Sequence, residues 1–290
     1  MLTKEQFHEL LAAGPILLDG ATGSNLQKAG MSRGCCTEAW ILDHPHALVN
    51  LQRRYAEAGS RILYAPTFQA QPIALAAVGL EAETERINAQ LVALTRSAAP
   101  SCLVAGNLTT LAAFTDSWDE GNFDLLVENY RRQIRGLIDG GADLLAAETL
   151  MYPTEAEAIL CAAELEGAGA AMYTFTMQAD GSLFSGRDAA PILRSLEEAG
   201  AAAVGFNCVA ADPMTPGLVS KLRRSLKGPI VCKPNAGVPT IGLDNLAHYP
   251  MGPGEFADIL ADCAAMGASI LGGCCGTAPE YIAAVKERLV

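Results

Sequence analysis

Short runs of apolar residues recur along the chain, and each run ends at a polar residue, a proline or a glycine. A continuous apolar run of four or five residues is typical of a parallel strand that is buried on both faces. Eight such strands are predicted, over residues 16–18, 61–65, 102–106, 143–147, 171–175, 203–206, 229–233 and 269–271. The pattern therefore favours a mostly parallel sheet covered on both sides.

Amphipathic stretches fill the gaps between these runs. A capping box at Thr3–Gln6 begins a first short helix. Further helices are predicted over residues 47–58, 84–98, 123–139, 154–166, 189–199, 214–226, 253–266 and 279–289. Eight strands that alternate with helices predict a single-domain α/β fold, a (β/α)₈ TIM barrel over residues 1–290. A doubly wound sheet is the alternative, although residues 20–24 lack the glycine spacing of a dinucleotide-binding turn.

Composition narrows the class of protein and of partner. Half of the 290 residues are hydrophobic, which is enough for a large core. The formal charge of −12 argues against nucleic acid or an anionic membrane as the main partner. The nine cysteines are irregularly spaced and do not resemble a disulfide framework. The sequence shows neither a signal peptide nor a membrane span, so we expect a cytoplasmic protein.

Three cysteines follow predicted strands. Cys274 and Cys275 lie in a glycine-rich turn after the eighth strand, and Cys208 follows the sixth. The carboxyl ends of these strands meet at one face of a barrel, and three thiolates with one open position suit catalytic zinc. We interpret the remaining cysteines as packing or surface residues without metal: Cys35, Cys36, Cys102, Cys161, Cys232 and Cys263.

Other polar residues follow the same strand ends. They are Asp19, Thr67, Asn107, Glu148, Thr176, Asn207 and Asn235. Active sites of barrels lie at this face, although Asn107 and Thr176 are expected to be ordinary loop caps. Zinc bound by three thiolates is a weak Lewis acid that suits a sulfur ligand, and it keeps a bound thiolate nucleophilic. The expected chemistry is therefore alkyl transfer to a thiol.

Several motifs together resemble the homocysteine S-methyltransferase family, whose zinc-bearing barrel is shared with cobalamin-dependent methionine synthase. The matching segments are residues 18–23, 141–143 with 148–149, 205–208, 234–237 and 272–277. The resemblance implies that Cys208, Cys274 and Cys275 bind Zn²⁺ and carry the reaction. It also implies substrate contacts for Glu148, which would hold the ammonium group, for Asp19, Asn207 and Thr67 along the pocket, and for Asn235 at the metal or substrate.

The activity implied is transfer of a methyl group to homocysteine, or to another small thiol, with methionine as the product. We expect methylcobalamin on a separate corrinoid protein as the donor, since the chain stops at Val290 without folate or cobalamin modules. Two alternatives remain open. In the first, the methyl donor is S-methylmethionine, S-adenosylmethionine or a betaine. In the second, the chain is a zinc-bearing, non-catalytic subunit of a methyl-transfer complex.

One position departs from the family pattern. The second strand of the family usually carries an acidic residue in a Glu-Thr-Asn-Thr-Phe-like motif, whereas this chain has Tyr64 in a Tyr-Ala-Pro-Thr-Phe segment. A phenol carries no charge at neutral pH. The substitution therefore predicts that the acceptor pocket is less negative and binds a cationic amine more weakly.

Overall fold

Eight parallel strands form the central sheet of the computed structural model, which describes residues 1–242 and 247–289. The strands of the chain are β1 (Ile16–Leu17), β2 (Ile62–Tyr64), β3 (Leu103–Thr109), β4 (Leu144–Leu150), β5 (Ala171–Phe175), β6 (Ala203–Ala210), β7 (Ile230–Asn235), β8 (Thr240–Ile241), β9 (Ala247–His248) and β10 (Ile270–Leu271). Strands β8 and β9 form a separate antiparallel hairpin.

The sheet closes on itself. Its strand order is β1-β10-β7-β6-β5-β4-β3-β2, and Leu18 forms a parallel bridge to Ile62 that joins the first strand to the last. The N–H of Arg61 also donates a hydrogen bond to the carbonyl of Leu17 at 2.8 Å. The predicted (β/α)₈ barrel is confirmed, and an open doubly wound sheet is excluded.

Helices surround the barrel. They are α1 (Lys4–Leu11), α2 (Gly23–Lys28), α3 (Thr37–Asp43), α4 (Pro45–Ala58), α5 (Pro72–Ala76), α6 (Thr84–Ala98), α7 (Phe123–Asp139), α8 (Pro153–Leu165), α9 (Ala189–Glu198), α10 (Thr215–Arg223), α11 (Pro253–Ala265) and α12 (Pro279–Leu289). The long helices agree with the sequence prediction to within three residues. No helix in the described part of the chain is long and apolar enough to cross a membrane.

The apolar core has two layers, separated by the sheet. Alternate strand residues such as Ile16, Ile62 and Leu144 point into the barrel, where Phe7 of α1 joins them. Their neighbours, such as Leu63, pack outward against the helices. The capping box predicted at the start of α1 is present, and this helix covers the amino-terminal end of the barrel. The carboxyl ends of the strands are therefore the end at which a cavity can form.

Close contact between β6 and β7 gives a test of this packing. A Cβ at Gly205 would overlap the backbone of Val231, so we expect Gly205→Ala to lower the free energy of unfolding by about 2 kcal/mol or more. Gly217 lies in α10 with open space around it, and Gly217→Ala should raise that free energy by up to about 1 kcal/mol. Urea denaturation measures both changes. Equal effects of the two substitutions would contradict the close packing of β6 on β7.

A thiol cluster and a charged cavity at the barrel mouth

Three thiols meet at the carboxyl end of the barrel. The Sγ atoms of Cys208 and Cys275 are 3.9 Å apart although the residues are 67 positions apart in sequence. With Cys274, all three Sγ atoms lie within 4.8 Å of one another. Within residues 1–242 and 247–289, no other group of three or more Cys, His, Asp or Glu side chains is arranged in this way. The separation is about twice a disulfide bond length, so the thiols are free.

Strained backbone directs the side chains of two strands into this region. Cys208 and Thr149 have φ angles of 57° and 59°, in the left-handed region that most residues avoid. Such a conformation costs about 1–3 kcal/mol per residue and is concentrated at functional sites. The register of β6 on β7 shifts next to Cys208, and that of β4 on β5 shifts next to Thr149. These irregularities turn the last residues of β4 and β6 towards the barrel mouth.

Glycines allow the cysteine turn to pack closely. Gly276 has a φ of 84°, and a Cβ there would overlap the ring of Tyr249. A Cβ at Gly273 would overlap the side chain of Thr277. A side chain at either position would therefore displace the turn that carries Cys274 and Cys275.

Buried hydrogen bonds hold the two cysteines of this turn. The hydroxyl of Thr277 donates to the carbonyl of Cys274 at 2.7 Å and accepts from the N–H of Ala21 at 3.2 Å. The N–H of Cys275 donates to Oδ1 of Asn235 at 2.9 Å. The turn is thereby tied to the segment after β1 and to the end of β7.

The thiols differ in acidity because they share hydrogen bonds. The neighbouring thiols of Cys208 and Cys274 lower the pKa of the Cys275 thiol to about 3, with a further contribution from Tyr249. The contacts with Cys274 and Cys275, together with burial, raise the pKa of Cys208 far above its usual range. The cluster therefore stabilises a thiolate. Tetrahedral zinc with Zn–S bonds of about 2.3 Å places its sulfur ligands about 3.8 Å apart, so the spacing and the donor type could hold such an ion.

A cavity of about 260 Å³ opens beside the thiols. All three cysteines line it, together with Asp19, Glu148 and Lys233. Small-molecule sites for drug-sized ligands usually measure about 300–1,000 Å³, so this cavity suits a smaller molecule. A molecule bound in this cavity would have the thiol cluster on one side and the buried charged side chains on another.

Glu148 is the buried acid at the end of β4. Its Oε1 accepts a hydrogen bond from Nδ2 of Asn107 at 2.9 Å, and its Oε2 accepts from Nδ2 of Asn207 at 3.3 Å and from Nζ of Lys233 at 3.4 Å. Burial raises the pKa of Glu148, and the positive charge of Lys233 opposes that rise. The carboxylate is thus held by three donors of the protein itself.

Asp19 is less completely bonded. Its Oδ2 accepts from the N–H of Tyr64 at 2.8 Å, whereas Oδ1 is buried without a hydrogen-bond partner. Burial raises the pKa of Asp19 to about 7, against the opposing charge of Lys233. Asp19 lines the cavity, and its Oδ1 lies 4.0 Å from Nζ of Lys233.

Lys233 is a charged residue of the cavity that the sequence prediction missed. Its side chain is 4% exposed, with Nζ 4.0 Å from Oδ1 of Asp19 and 4.8 Å from the centre of the Tyr64 ring. Burial alone would lower the pKa of Lys233, but Glu148, Cys274 and Asp19 together raise it well above its usual range. Lys233 is the polar end of the apolar run predicted over residues 229–233, and that position was the available signal.

Three residues expected at the substrate do not line the cavity. Asn207 lies beneath it, where Nδ2 contacts Glu148 and lies 3.8 Å from Sγ of Cys274. Asn235 supports the cysteine turn, as described above. Thr67 is fully buried, and its hydroxyl donates to the carbonyl of Asn107 at 2.8 Å, so it joins β2 to β3.

Asn107, which was expected to cap a loop or form an ordinary hydrogen bond, lies within β3. Its side chain lines the cavity and orients Glu148. Glu38 was also missed, because it lies in α3, a helix that the sequence pattern did not predict. It lines the cavity, and its Oε1 accepts from the N–H of Gln69 at 2.8 Å.

The remaining cysteines lie apart from the thiol cluster. Cys35 is exposed, and Cys36 precedes α3, where its thiol lies 3.6 Å from Glu38. Cys102, Cys232 and Cys263 are buried.

The chain is similar to known proteins over nearly its whole length. The family model described as homocysteine S-methyltransferase matches residues 16–289. The homocysteine S-methyltransferase of Escherichia coli K12 is 30% identical, over 94% of this chain and 94% of its own length. The methionine synthase of Mycobacterium leprae is 28% identical over 97% of this chain, which spans 25% of that protein.

A solved structure extends the likeness to three dimensions. The metallated form of the homocysteine methyltransferase MmuM from Escherichia coli superposes with a TM-score of 0.83 at 27% identity, over 97% of this chain and 99% of that one. The match of the family model across nearly the whole barrel, together with these relatives, shows that the chain belongs to the homocysteine S-methyltransferase family.

Proposed function

We propose that this protein transfers a methyl group to the thiol of homocysteine and so forms methionine, with Zn²⁺ held by Cys208, Cys274 and Cys275. The observation that carries the proposal is the meeting of three thiols within 4.8 Å at the wall of a small, charged cavity. Three protein ligands leave the fourth position of a tetrahedral ion open, as in catalytic zinc sites. The metallated state of the related MmuM structure supports the same assignment.

The residues around the cavity have different proposed roles in substrate binding. A zinc ion in the thiol cluster would favour the thiolate form of an incoming thiol and keep it nucleophilic. Glu148 and Asp19 form the acidic side of the cavity near the amino end of homocysteine, and both acids also lie close to Lys233. Asn107 and Asn207 fix the carboxylate of Glu148, so little reorganisation accompanies binding.

The methyl donor is proposed to be a methylated corrinoid protein that docks at the open end of the barrel. S-methylmethionine, S-adenosylmethionine and betaine are the competing donors. Methionine formation from homocysteine should be assayed with each donor in turn, with purified, metal-loaded protein. Turnover that requires the methylated corrinoid protein supports the proposal, and turnover with one of the small donors replaces it. Absence of turnover with every donor, while zinc stays bound, favours a non-catalytic subunit.

The proposed metal ligands give a prediction about zinc content. Alanine at Cys208, Cys274 or Cys275 should remove most of the bound zinc, because two thiolates hold the ion far more weakly than three. Thermal unfolding should show that the barrel still folds, since the cluster lies at its rim. Zinc is measured by elemental analysis after dialysis. Cys35→Ala is the matched control and should keep its zinc, since Cys35 is exposed. Full zinc content in any of the three variants would remove that cysteine from the ligand set.

Glu148 gives a prediction about homocysteine binding. Glu148→Gln should weaken homocysteine binding about tenfold or more and leave the zinc in place. The substitution leaves the charge of Lys233 less compensated, so that Lys233 repels the ammonium group of homocysteine. Calorimetric titration of the zinc-loaded protein measures the affinity.

The control for this prediction is Glu128→Gln. Glu128 forms a surface ion pair with Arg131 at 3.1 Å, and its loss should leave the affinity unchanged. An affinity in Glu148→Gln equal to that of the unaltered protein would show that Glu148 only supports the end of β4.

A further inference from the structure

Lys233 is a cation enclosed in the proposed acceptor pocket. Its side chain is 4% exposed, and Nζ lies between Glu148 at 3.4 Å and Asp19 at 4.0 Å. An isolated ammonium group is too costly to bury, so a buried lysine needs counter-charges close by. The two acids that face the cavity supply them. The same two acids are the groups that would bind the ammonium of an amino-acid substrate.

The second strand completes this arrangement. The ring of Tyr64 lies 4.8 Å from Nζ of Lys233, within the range of a cation–π contact. An acidic residue at position 64, as in the family pattern, would add a third carboxylate to the pocket. This chain has a neutral ring there and a lysine on β7. The two residues act in the same direction, since both make the pocket less negative.

Glu148 has little capacity left for a second cation. A carboxylate offers about four lone-pair positions, and three donors of the protein already use Glu148. A substrate ammonium would share this acid with Lys233 and would be repelled by its charge. Glu38, the other acid that lines the cavity, is bonded to the N–H of Gln69 and contacts the thiol of Cys36. Only Oδ1 of Asp19 remains without a hydrogen bond among the acids of the cavity that the structure describes.

We propose that Lys233 is a specificity-determining residue that takes the place of the substrate ammonium opposite Glu148 and Asp19. The inference rests on the proposed methyl transfer and narrows its acceptor class. The pocket binds small thiols whose affinity depends little on an α-ammonium group, so a thiol carboxylic acid is accepted about as well as homocysteine. The metal-facing thiol remains the common feature of these acceptors.

The test compares homocysteine with 4-mercaptobutanoate, which is homocysteine without its amino group. Each thiol is titrated into the cobalt-substituted protein, and the sulfur-to-cobalt absorption band reports coordination without any methyl donor. In the unaltered protein the two dissociation constants should agree within about threefold. A preference for homocysteine above about tenfold, the effect of one charged hydrogen bond, overturns the inference and needs no variant.

A variant then assigns the effect to Lys233. Lys233→Met removes the resident charge and frees both acids, so the preference for homocysteine should rise by about tenfold or more. Lys221→Met is the matched control, because Lys221 pairs with Asp188 at the surface at 3.1 Å and should leave the ratio unchanged. A ratio in Lys233→Met equal to that of the unaltered protein overturns the assignment.

The two proposals fail in different ways. If neither thiol changes the cobalt spectrum, the proposed thiol chemistry at the metal fails. If homocysteine binds the metal but is strongly preferred over 4-mercaptobutanoate, methyl transfer to homocysteine stands and only the role of Lys233 is withdrawn.

Discussion

Closure of the parallel sheet is the constraint on which the site depends. The thiols of Cys208 and Cys275 come within 3.9 Å only because β7 lies between β6 and β10, and because β1 joins β10 to β2. The amino-terminal end of the barrel is filled by apolar side chains and covered by α1. The opposite end is left to polar side chains and to the strained residue Cys208. The stability of the core thus supports a conformation that the local backbone would not adopt alone.

Charge within the cavity follows from the same geometry. The barrel brings the ends of β1, β4 and β7 together, and with them Asp19, Glu148 and Lys233. Each charge would be costly to bury alone, and together they compensate one another. Asn107 of β3 and Asn207 of β6 bond to Glu148 of β4, so the acid has a fixed orientation before any substrate arrives.

The sequence predicted the barrel because its signals were local and repeated. Buried apolar runs and helical periods each depend on a few neighbouring residues, and eight repetitions made the architecture clear. The convergence of Cys208, Cys274 and Cys275 followed from that architecture. Short helices such as α3 and α5 have too few residues for a clear period, and the sequence analysis did not predict them.

Side-chain roles at the barrel mouth were less predictable. Strands β3, β4 and β6 extend three or four residues beyond their predicted ends, and this decides which residues face the cavity. Asn107 therefore orients Glu148, whereas Thr67 joins two strands. Lys233 ends an apolar run and resembles a solvent-exposed strand end. Its contacts with Asp19 and Glu148 arise only when three distant strands meet, so spacing along the chain does not reveal them.

The central claim is that a metal ion bound by three thiolates keeps one position open for the acceptor thiol. X-ray absorption at the zinc edge counts the sulfur ligands directly, with and without homocysteine. The account predicts three sulfur ligands and one lighter ligand in the resting protein, and four sulfur ligands after homocysteine is added. A zinc site with four protein ligands whose spectrum is unchanged by homocysteine would contradict it.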